Sequence, residues 1–211
     1  MAGTRSPTLT GLMIGCVVSN PGLAHVPFIE ASDLTADAPF VMTDVEQSKA
    51  VYAWLDSEDD VDFYLLRLPE PARIYAHTII PYCLEYAEFR PSFVLIGPGL
   101  PAAGEALPVE VESQDGAIVR HDEPGIEISR PSMYEFFSDQ FYFEGPTLTI
   151  EEAPAGDYWL IVWSPTGEVG DYVAIVGRAE RFSAADRELS MRNTRIVRAR
   201  RNLHIDCTFD F

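Results

Sequence analysis

Short apolar runs, most of them ended by proline or glycine, recur along this chain and restrict its fold more than any other feature. The clearest runs are residues 61–68, 73–81, 92–96, 157–163 and 171–176. Side chains alternate between the two faces of a β-strand, so runs of this length and spacing predict short strands joined by turns. The chain has 16 prolines and 14 glycines, while 47% of its residues are hydrophobic. Many short strands around one core are therefore favoured over long helices.

These strands predict an all-β fold, a single antiparallel β-sandwich of the jelly-roll type with about eight or nine strands and a short basic helix at the C-terminus. The sandwich is expected over residues 25–177, with a long insert at about 97–145, and the Arg-rich helical tail is expected over 178–211. Residues 171–176 are expected to pair with 157–163 through a hairpin loop.

The run at 61–68 has a period of two with one interruption. The apolar positions Val61, Phe63 and Leu65 alternate, and the alternation resumes at Leu66 after a slip of one residue. A half-buried strand whose pattern slips in this way predicts a β-bulge.

Five carboxylates crowd the start of the same run. Four precede the strand and one lies inside it: Asp56, Glu58, Asp59, Asp60 and Asp62. Carboxylates at this density repel one another unless solvent, Arg or a cation neutralises them. Calcium takes six to eight oxygen ligands from compact loops, so these residues are candidate calcium ligands and calcium is the candidate cofactor. The EF-hand pattern is absent, because Val61 and Arg67 stand where its Gly and Glu are required, and a solvated acidic turn is the alternative.

The charge of the chain is strongly negative and unevenly distributed. The net charge is -18, and it divides into +3 for residues 178–211 and -21 for residues 1–177. A body this acidic argues against nucleic acid as a partner. No apolar run reaches the length of a membrane span. A generally acidic, solvated surface and a cation-binding surface are both consistent with these numbers.

Residues 1–24 resemble an export signal. Arg5 supplies a positive charge, an apolar stretch follows, and Ala24 ends a small-residue cleavage site that would leave His25 as the mature N-terminus. A lipoprotein signal ending at Cys16 and an unprocessed N-terminus are the alternatives. An exported protein, whether periplasmic, extracellular or envelope-associated, is therefore expected, and a cytoplasmic location stays open.

Processing at that site would create a candidate copper ligand. His25 would then carry an α-amine and an imidazole on one residue, and nitrogen ligands of this kind suit Cu(II). The second histidine would be His77, His121 or His204. An N-terminal histidine with no metal role is the alternative.

Cys83 and Cys207 are candidates for a disulfide. In an oxidising compartment such a bond would tie the C-terminal tail to the sandwich. Two free thiols and an interchain bond are the alternatives. No Cys-x-x-Cys occurs in the chain, so the cysteines indicate neither a zinc ribbon nor a thioredoxin-like site.

The tail is expected to form a basic helix that begins with a capping box at Ser183 and Asp186 and extends to about Arg201. Its candidate partner-binding residues are Arg187, Arg192, Arg195, Arg198, Arg200 and Arg201. These arginines suit an acidic protein partner, the acidic body of this chain, or an anionic membrane surface. A solvated helix packed on the sandwich is the alternative.

An aromatic set in the insert offers a second candidate docking surface. Its members are Tyr134, Phe136, Phe137, Phe141, Tyr142 and Phe143. Aromatic side chains of this kind serve carbohydrate or protein docking when exposed, and belong to the core when buried.

The order of these motifs resembles the bacterial pre-peptidase C-terminal domain over residues 44–177. In that family an Asp-Asp-x-Asp-x-Tyr strand opens the sandwich, and Pro-x-Gly-x-Tyr and Gly-x-Tyr strands close it. The matching residues are Asp59, Asp60, Asp62 and Tyr64, then Pro154, Gly156, Tyr158, Leu160 and Val162, then Gly170, Tyr172 and Ala174. The resemblance implies a sandwich that binds substrate or matrix for secreted enzymes and, in some members, calcium.

No catalytic motif appears in the sequence: Gly-x-Ser-x-Gly, His-Glu-x-x-His, a P-loop and a dinucleotide fingerprint are all missing. The function expected is therefore that of a non-catalytic, exported binding module, stabilised by calcium and directed at a protein partner or an extracellular polymer. The alternatives are a periplasmic copper protein that uses His25 and a structural accessory subunit of an envelope complex that docks through the Arg-rich tail.

Overall fold

A computed structural model describes residues 25–110, 115–122 and 130–208. The strands in chain order are β1 (Val26–Ile29), β2 (Phe40–Met42), β3 (Lys49–Leu55), β4 (Val61–Leu68), β5 (Ala72–Pro81), β6 (Ser92–Gly97), β7 (Gly116–Arg120), β8 (Ser132–Glu135), β9 (Gln140–Ala153), β10 (Gly156–Trp163) and β11 (Gly170–Val176). A 3-10 turn lies at Leu84–Tyr86, and one helix, α1, spans Ala184–Arg198. The predicted export signal and Cys16 lie outside the described residues.

The strands form two sheets, which confirms the predicted all-β sandwich with a short C-terminal helix. The described residues contain eleven strands rather than the eight or nine predicted. The first sheet has the order β1-β3-β11-β5-β9-β8, and the second has the order β2-β4-β10-β6-β7. Two pairs depart from the antiparallel pattern, because β1 runs parallel to β3 and β2 runs parallel to β4. Both are edge pairs, so the interior of each sheet remains antiparallel as predicted.

The predicted bulge in β4 is wrong. The register of β4 with β10 is continuous from Val61 to Leu68. Tyr64 and Leu66 point into the core, while Phe63 belongs to an apolar cluster on the outer face of the second sheet. The apolar pattern slips at Leu65 and Leu66 because both faces of this strand are covered, and a strand covered on both faces does not alternate cleanly.

The predicted hairpin between residues 157–163 and 171–176 is also wrong. β10 pairs with β4 and β6, whereas β11 pairs with β3 and β5 in the other sheet. The loop between β10 and β11 therefore crosses from one layer to the other. Both strands lie inside their sheets and are apolar on both faces, so the local pattern could not distinguish a hairpin from a crossing.

The insert at 97–145 contributes strands to both sheets. β7 forms one edge of the second sheet, and β8 with the first part of β9 forms one edge of the first sheet. The residues between β6 and β7 that the structure describes form no strand or helix, in agreement with their Gly, Pro and Ala content.

Helix α1 begins with the predicted capping box. Ser183 Oγ accepts from the Asp186 amide at 3.1 Å, and Asp186 Oδ2 accepts from the Ser183 amide at 2.7 Å. The helix packs on β1, where Asn193 Nδ2 donates to the Pro27 carbonyl at 2.9 Å and Val197 is buried. Among the described residues, no helix is long and apolar enough to cross a membrane.

Candidate metal centre

Asp62 is a carboxylate inside the core of the sandwich. It lies on the inward face of β4 and is 0% exposed. Tyr172, on β11 of the other sheet, donates its hydroxyl to Asp62 Oδ2 at 2.6 Å. Asp62 Oδ1 is buried and has no hydrogen-bond partner among the described residues. A buried carboxylate oxygen without a partner is costly, so this atom indicates a missing proton or cation.

Two further carboxylates converge on Asp62 from the segment after β1. One oxygen each of Glu30, Asp33 and Asp62 lies within 4.8 Å of the others. The Trp54 amide holds Glu30 by donating to its Oε2 at 2.9 Å, and the Phe63 amide donates to the Leu34 carbonyl at 2.6 Å. The loop that carries Glu30 and Asp33 is thus tied to both sheets. We call Glu30, Asp33 and Asp62 the carboxylate cluster.

Burial and mutual repulsion change the acidity of this cluster. Burial is the largest of the causes that raise the pKa of Asp62 to about 8. The hydrogen bond from Tyr172 opposes this rise, and the charges of Glu30, Asp60 and Asp33 act in the same direction as burial. Burial also raises the pKa of Glu30 to about 7. Carboxyl groups with such pKa values hold protons near neutral pH unless a cation replaces them.

Only one of the five predicted calcium ligands belongs to the carboxylate cluster. Asp56, Glu58 and Asp59 are exposed on the turn before β4. Asp60 is half-buried and near enough to raise the pKa of Asp62, but its Oδ2 accepts from the Asp56 amide at 2.7 Å. Asp62 is the member that the structure places inside the cluster.

The sequence pattern does not single out Glu30 and Asp33, because residues 25–40 have the composition of a loop. The signal that was present is the apolar run Val26–Ile29, which forms β1 and is followed directly by Glu30. A carboxylate at the end of a short apolar run lies at the end of the sheet, where loops meet.

The C-terminal tail covers a region beside the cluster. We call residues 202–208 the tail strap. Asp171 is 3% exposed and accepts from the His204 amide and from His204 Nδ1, each at 2.8 Å. The His204 ring stacks on Trp54 with 4.7 Å between centroids, and the Trp54 amide is the one that binds Glu30. Tyr86 donates to Asp171 and to the Ile205 carbonyl. The tail strap and the cluster therefore share Trp54.

Cys83 and Cys207 are disulfide-bonded in the structure, and the bond spans 124 residues of sequence. Cys83 is fully buried beside Tyr86, so the bond fixes the tail strap to the main core. Thr208 adds a further contact by donating its amide to Glu85 at 3.1 Å.

His25, the predicted copper ligand, is buried at the start of β1. Its Nδ1 lies 2.5 Å from Ser48 Oγ, and it lines a cleft of about 290 Å³ together with His77 and Arg178. The pKa of His77 is lowered to about 4. Burial is the largest cause, and the charges of His25 and Arg178 act in the same direction. His121 and His204 lie elsewhere. The guanidinium of Arg178 disfavours a cation in this cleft, and the copper site stays a prediction.

The predicted partner-binding arginines differ in their surroundings. Five are exposed and Arg200 is half-buried. Arg198 is engaged within the chain, because its Nε donates to the Phe137 carbonyl at 2.8 Å and its Nη2 donates to the Phe136 carbonyl at 3.1 Å.

The aromatic set predicted as a docking surface contains both buried and exposed members. Tyr142 and Phe143 are buried, whereas Tyr134, Phe136 and Phe141 are exposed.

No family model matches this chain, and no curated protein shows significant similarity to it. The resemblance to the pre-peptidase C-terminal domain therefore stays a prediction.

Proposed function

We propose that this chain is an exported, non-catalytic binding module whose sandwich is stabilised by a calcium ion at Glu30, Asp33 and Asp62. The observation that carries the proposal is the buried Asp62 Oδ1, which has no partner within the described residues and belongs to a cluster of three carboxylates. A cation at this position would supply the missing partner and relieve the repulsion that raises the pKa values of Asp62 and Glu30.

The composition of the cluster supports calcium over other metals. All three donors are carboxylate oxygens, which suit hard cations, whereas histidine and cysteine donors would suit zinc or copper. Each of the three carboxylates brings one oxygen within 4.8 Å of the other two, and Asp60 adds negative charge nearby. Their positions on a strand and a loop suit the irregular coordination of calcium better than the strict octahedron of magnesium.

Two further features support the proposals that the chain is exported and that it is non-catalytic. A disulfide that joins the tail strap to the core is typical of proteins from oxidising compartments. The sequence carries none of the catalytic motifs considered above, and this favours binding over chemistry.

Thermal unfolding and calcium titration calorimetry test the proposal. Calcium at about 100 times its dissociation constant contributes about 2.7 kcal/mol, which raises the melting temperature by roughly 5–10 °C for a chain of this size. The Asp62→Asn variant should lose calcium binding but should melt, in chelator, no lower than the wild type, because its amide oxygen can still accept from Tyr172 and the side chain stays neutral without taking up a proton.

Asp59→Asn is the matched control, since it removes one exposed carboxylate from the neighbouring turn. We expect this variant to retain the calcium shift. Identical wild-type melts in calcium and in chelator would contradict the proposal. Loss of the shift in Asp59→Asn but not in Asp62→Asn would move the site to the exposed turn.

A further inference from the structure

The outer face of the second sheet is apolar, although the outer face of a two-layer sandwich is ordinarily polar. Val94, Ile96, Ala117 and Ile161 are buried on this face. The loop after β6 covers part of it through Leu107 and Val109. The cover is incomplete and leaves a cleft of about 460 Å³, a size that suits a small ligand.

Aromatic side chains form the floor of this cleft. Trp159 on β10 and Phe63 on β4 both line it, with their ring centroids 6.1 Å apart in an edge-on arrangement. Each ring is half-buried. Ile161 extends the apolar floor along β10. An indole ring that is anchored in a sheet and lines a cleft offers a preformed surface for a ligand.

Every ionisable side chain that the structure places in the cleft is a carboxylate: Glu110, Asp115 and Asp157. Asp157 lies 3.9 Å from Arg67, and both side chains are more than half exposed, so this pair is weak. Glu110 and Asp115 have no ion-pair partner among the described residues. The cleft is therefore negative at its rim and aromatic at its floor.

We propose that this cleft binds an organic cation, an ammonium group on an apolar body, with the cation over Trp159 and the charge balanced by Glu110 and Asp115. A cation is attracted to the face of an indole ring, and carboxylates at the rim add Coulomb attraction. The net charge of -18 raises the local concentration of cations and opposes anionic ligands. The ammonium belongs either to a free amine or to a lysine side chain of a peptide. This inference does not rest on the calcium proposal.

Heteronuclear NMR titration of the full chain tests the proposal, because the protein has three tryptophans whose indole signals can be resolved. The probes are choline and its neutral isostere 3,3-dimethylbutan-1-ol. We expect the Trp159 indole signal to shift and choline to bind about fivefold more tightly than the isostere. Nα-acetyl-lysine methylamide distinguishes a lysine side chain from a free amine, and glucose tests for a neutral polyol.

The Glu110→Gln/Asp115→Asn double variant should weaken choline binding by about fivefold, with little change for the neutral isostere. The matched control is Glu70→Gln/Glu152→Gln, which removes two exposed carboxylates that do not line the cleft. Equal affinity for choline and the isostere, an unchanged Trp159 signal, or tighter binding of glucose would overturn the proposal. Choline titrations in calcium, in chelator and with the Asp62→Asn variant show whether a loss of choline binding comes from the cleft itself or from the calcium site.

Discussion

Tyr172 donates its hydroxyl hydrogen to Asp62 across the core, from the first sheet to the second, with 2.6 Å between the two oxygens. The Tyr64 hydroxyl lies 2.7 Å from that of Tyr172, so the three side chains form one polar chain inside an apolar core. The bond to Tyr172 lowers a pKa that burial raises. It also occupies Asp62 Oδ2 and leaves Oδ1 as the oxygen without a protein partner.

The Tyr172→Phe substitution should therefore destabilise the protein. It removes a buried donor and leaves Asp62 with both oxygens unpaired, so we expect the free energy of unfolding in chelator to fall by about 1–3 kcal/mol. Urea denaturation at neutral pH measures the change. Tyr134→Phe is the control, because Tyr134 donates to Asp139 in an exposed pair. An equally small loss in both variants would show that the cross-sheet bond contributes little.

The stability of the calcium-free protein should fall as the pH rises from 6.5 to about 8.5. The pKa of Glu30 is raised from 4.5 to about 7 and that of Asp62 from 3.8 to about 8, so the folded state retains protons that the unfolded chain has already released. Stability that is present at lower pH is then lost as the pH rises through these values. Urea denaturation in chelator measures this slope, and Asp62→Asn should reduce it to the part that Glu30 contributes.

His77 confines this test to pH values above 6.5. Burial lowers its pKa from 6.5 to about 4, so its contribution to stability is present above pH 6.5 and is lost as the pH falls toward 4. That loss runs in the opposite direction to the carboxylate effect. A stability that rises from pH 6.5 to 8.5 in chelator would contradict the assigned pKa values.

Calcium binding should release protons near neutral pH. The ion replaces protons that Asp62 and Glu30 hold in its absence, so its apparent affinity should increase with pH up to about 8. Calorimetry at pH 7 in buffers of different ionisation enthalpy measures the number released, which we expect to be one or two per ion. Binding without proton release at pH 7 would mean that the cluster is already ionised.

Whether a feature of the fold or of the carboxylate cluster can be predicted from the sequence depends on whether it is formed by residues that are close together along the chain. The strands Ser92–Gly97 and Gly156–Trp163 and the capping box of α1 follow from short-range patterns, and the predicted positions agree with the structure. The length of β9 depends on its pairing with β5 and not only on its own sequence. It continues through Gly145 and Pro146, which interrupt the pattern, because a register shift against β5 accommodates them.

The carboxylate cluster depends on pairing that the sequence pattern does not encode. Glu30 reaches Asp62 because β1 adds to the edge of the first sheet in parallel with β3, while Asp62 lies in the second sheet. The sequence predicts Asp56, Glu58 and Asp59 as ligands because they are close together along the chain. It does not show which carboxylates come together only when the chain folds. Burial, which separates Asp62 from those neighbours, is a property of the packed sandwich.

The tail strap should be released in part when the Cys83–Cys207 bond is removed. The bond closes a loop of 124 residues, so Cys207→Ser should lower the free energy of unfolding by about 2–5 kcal/mol. The His204 and Ile205 amides, which donate to Asp171 at 2.8 and 3.4 Å, should exchange their hydrogens faster, whereas amides inside β11 should not. Wild type in reductant must reproduce the variant. Unchanged protection of both amides would show that Asp171, with Tyr86 and the Trp54–His204 stack, holds the strap without the disulfide.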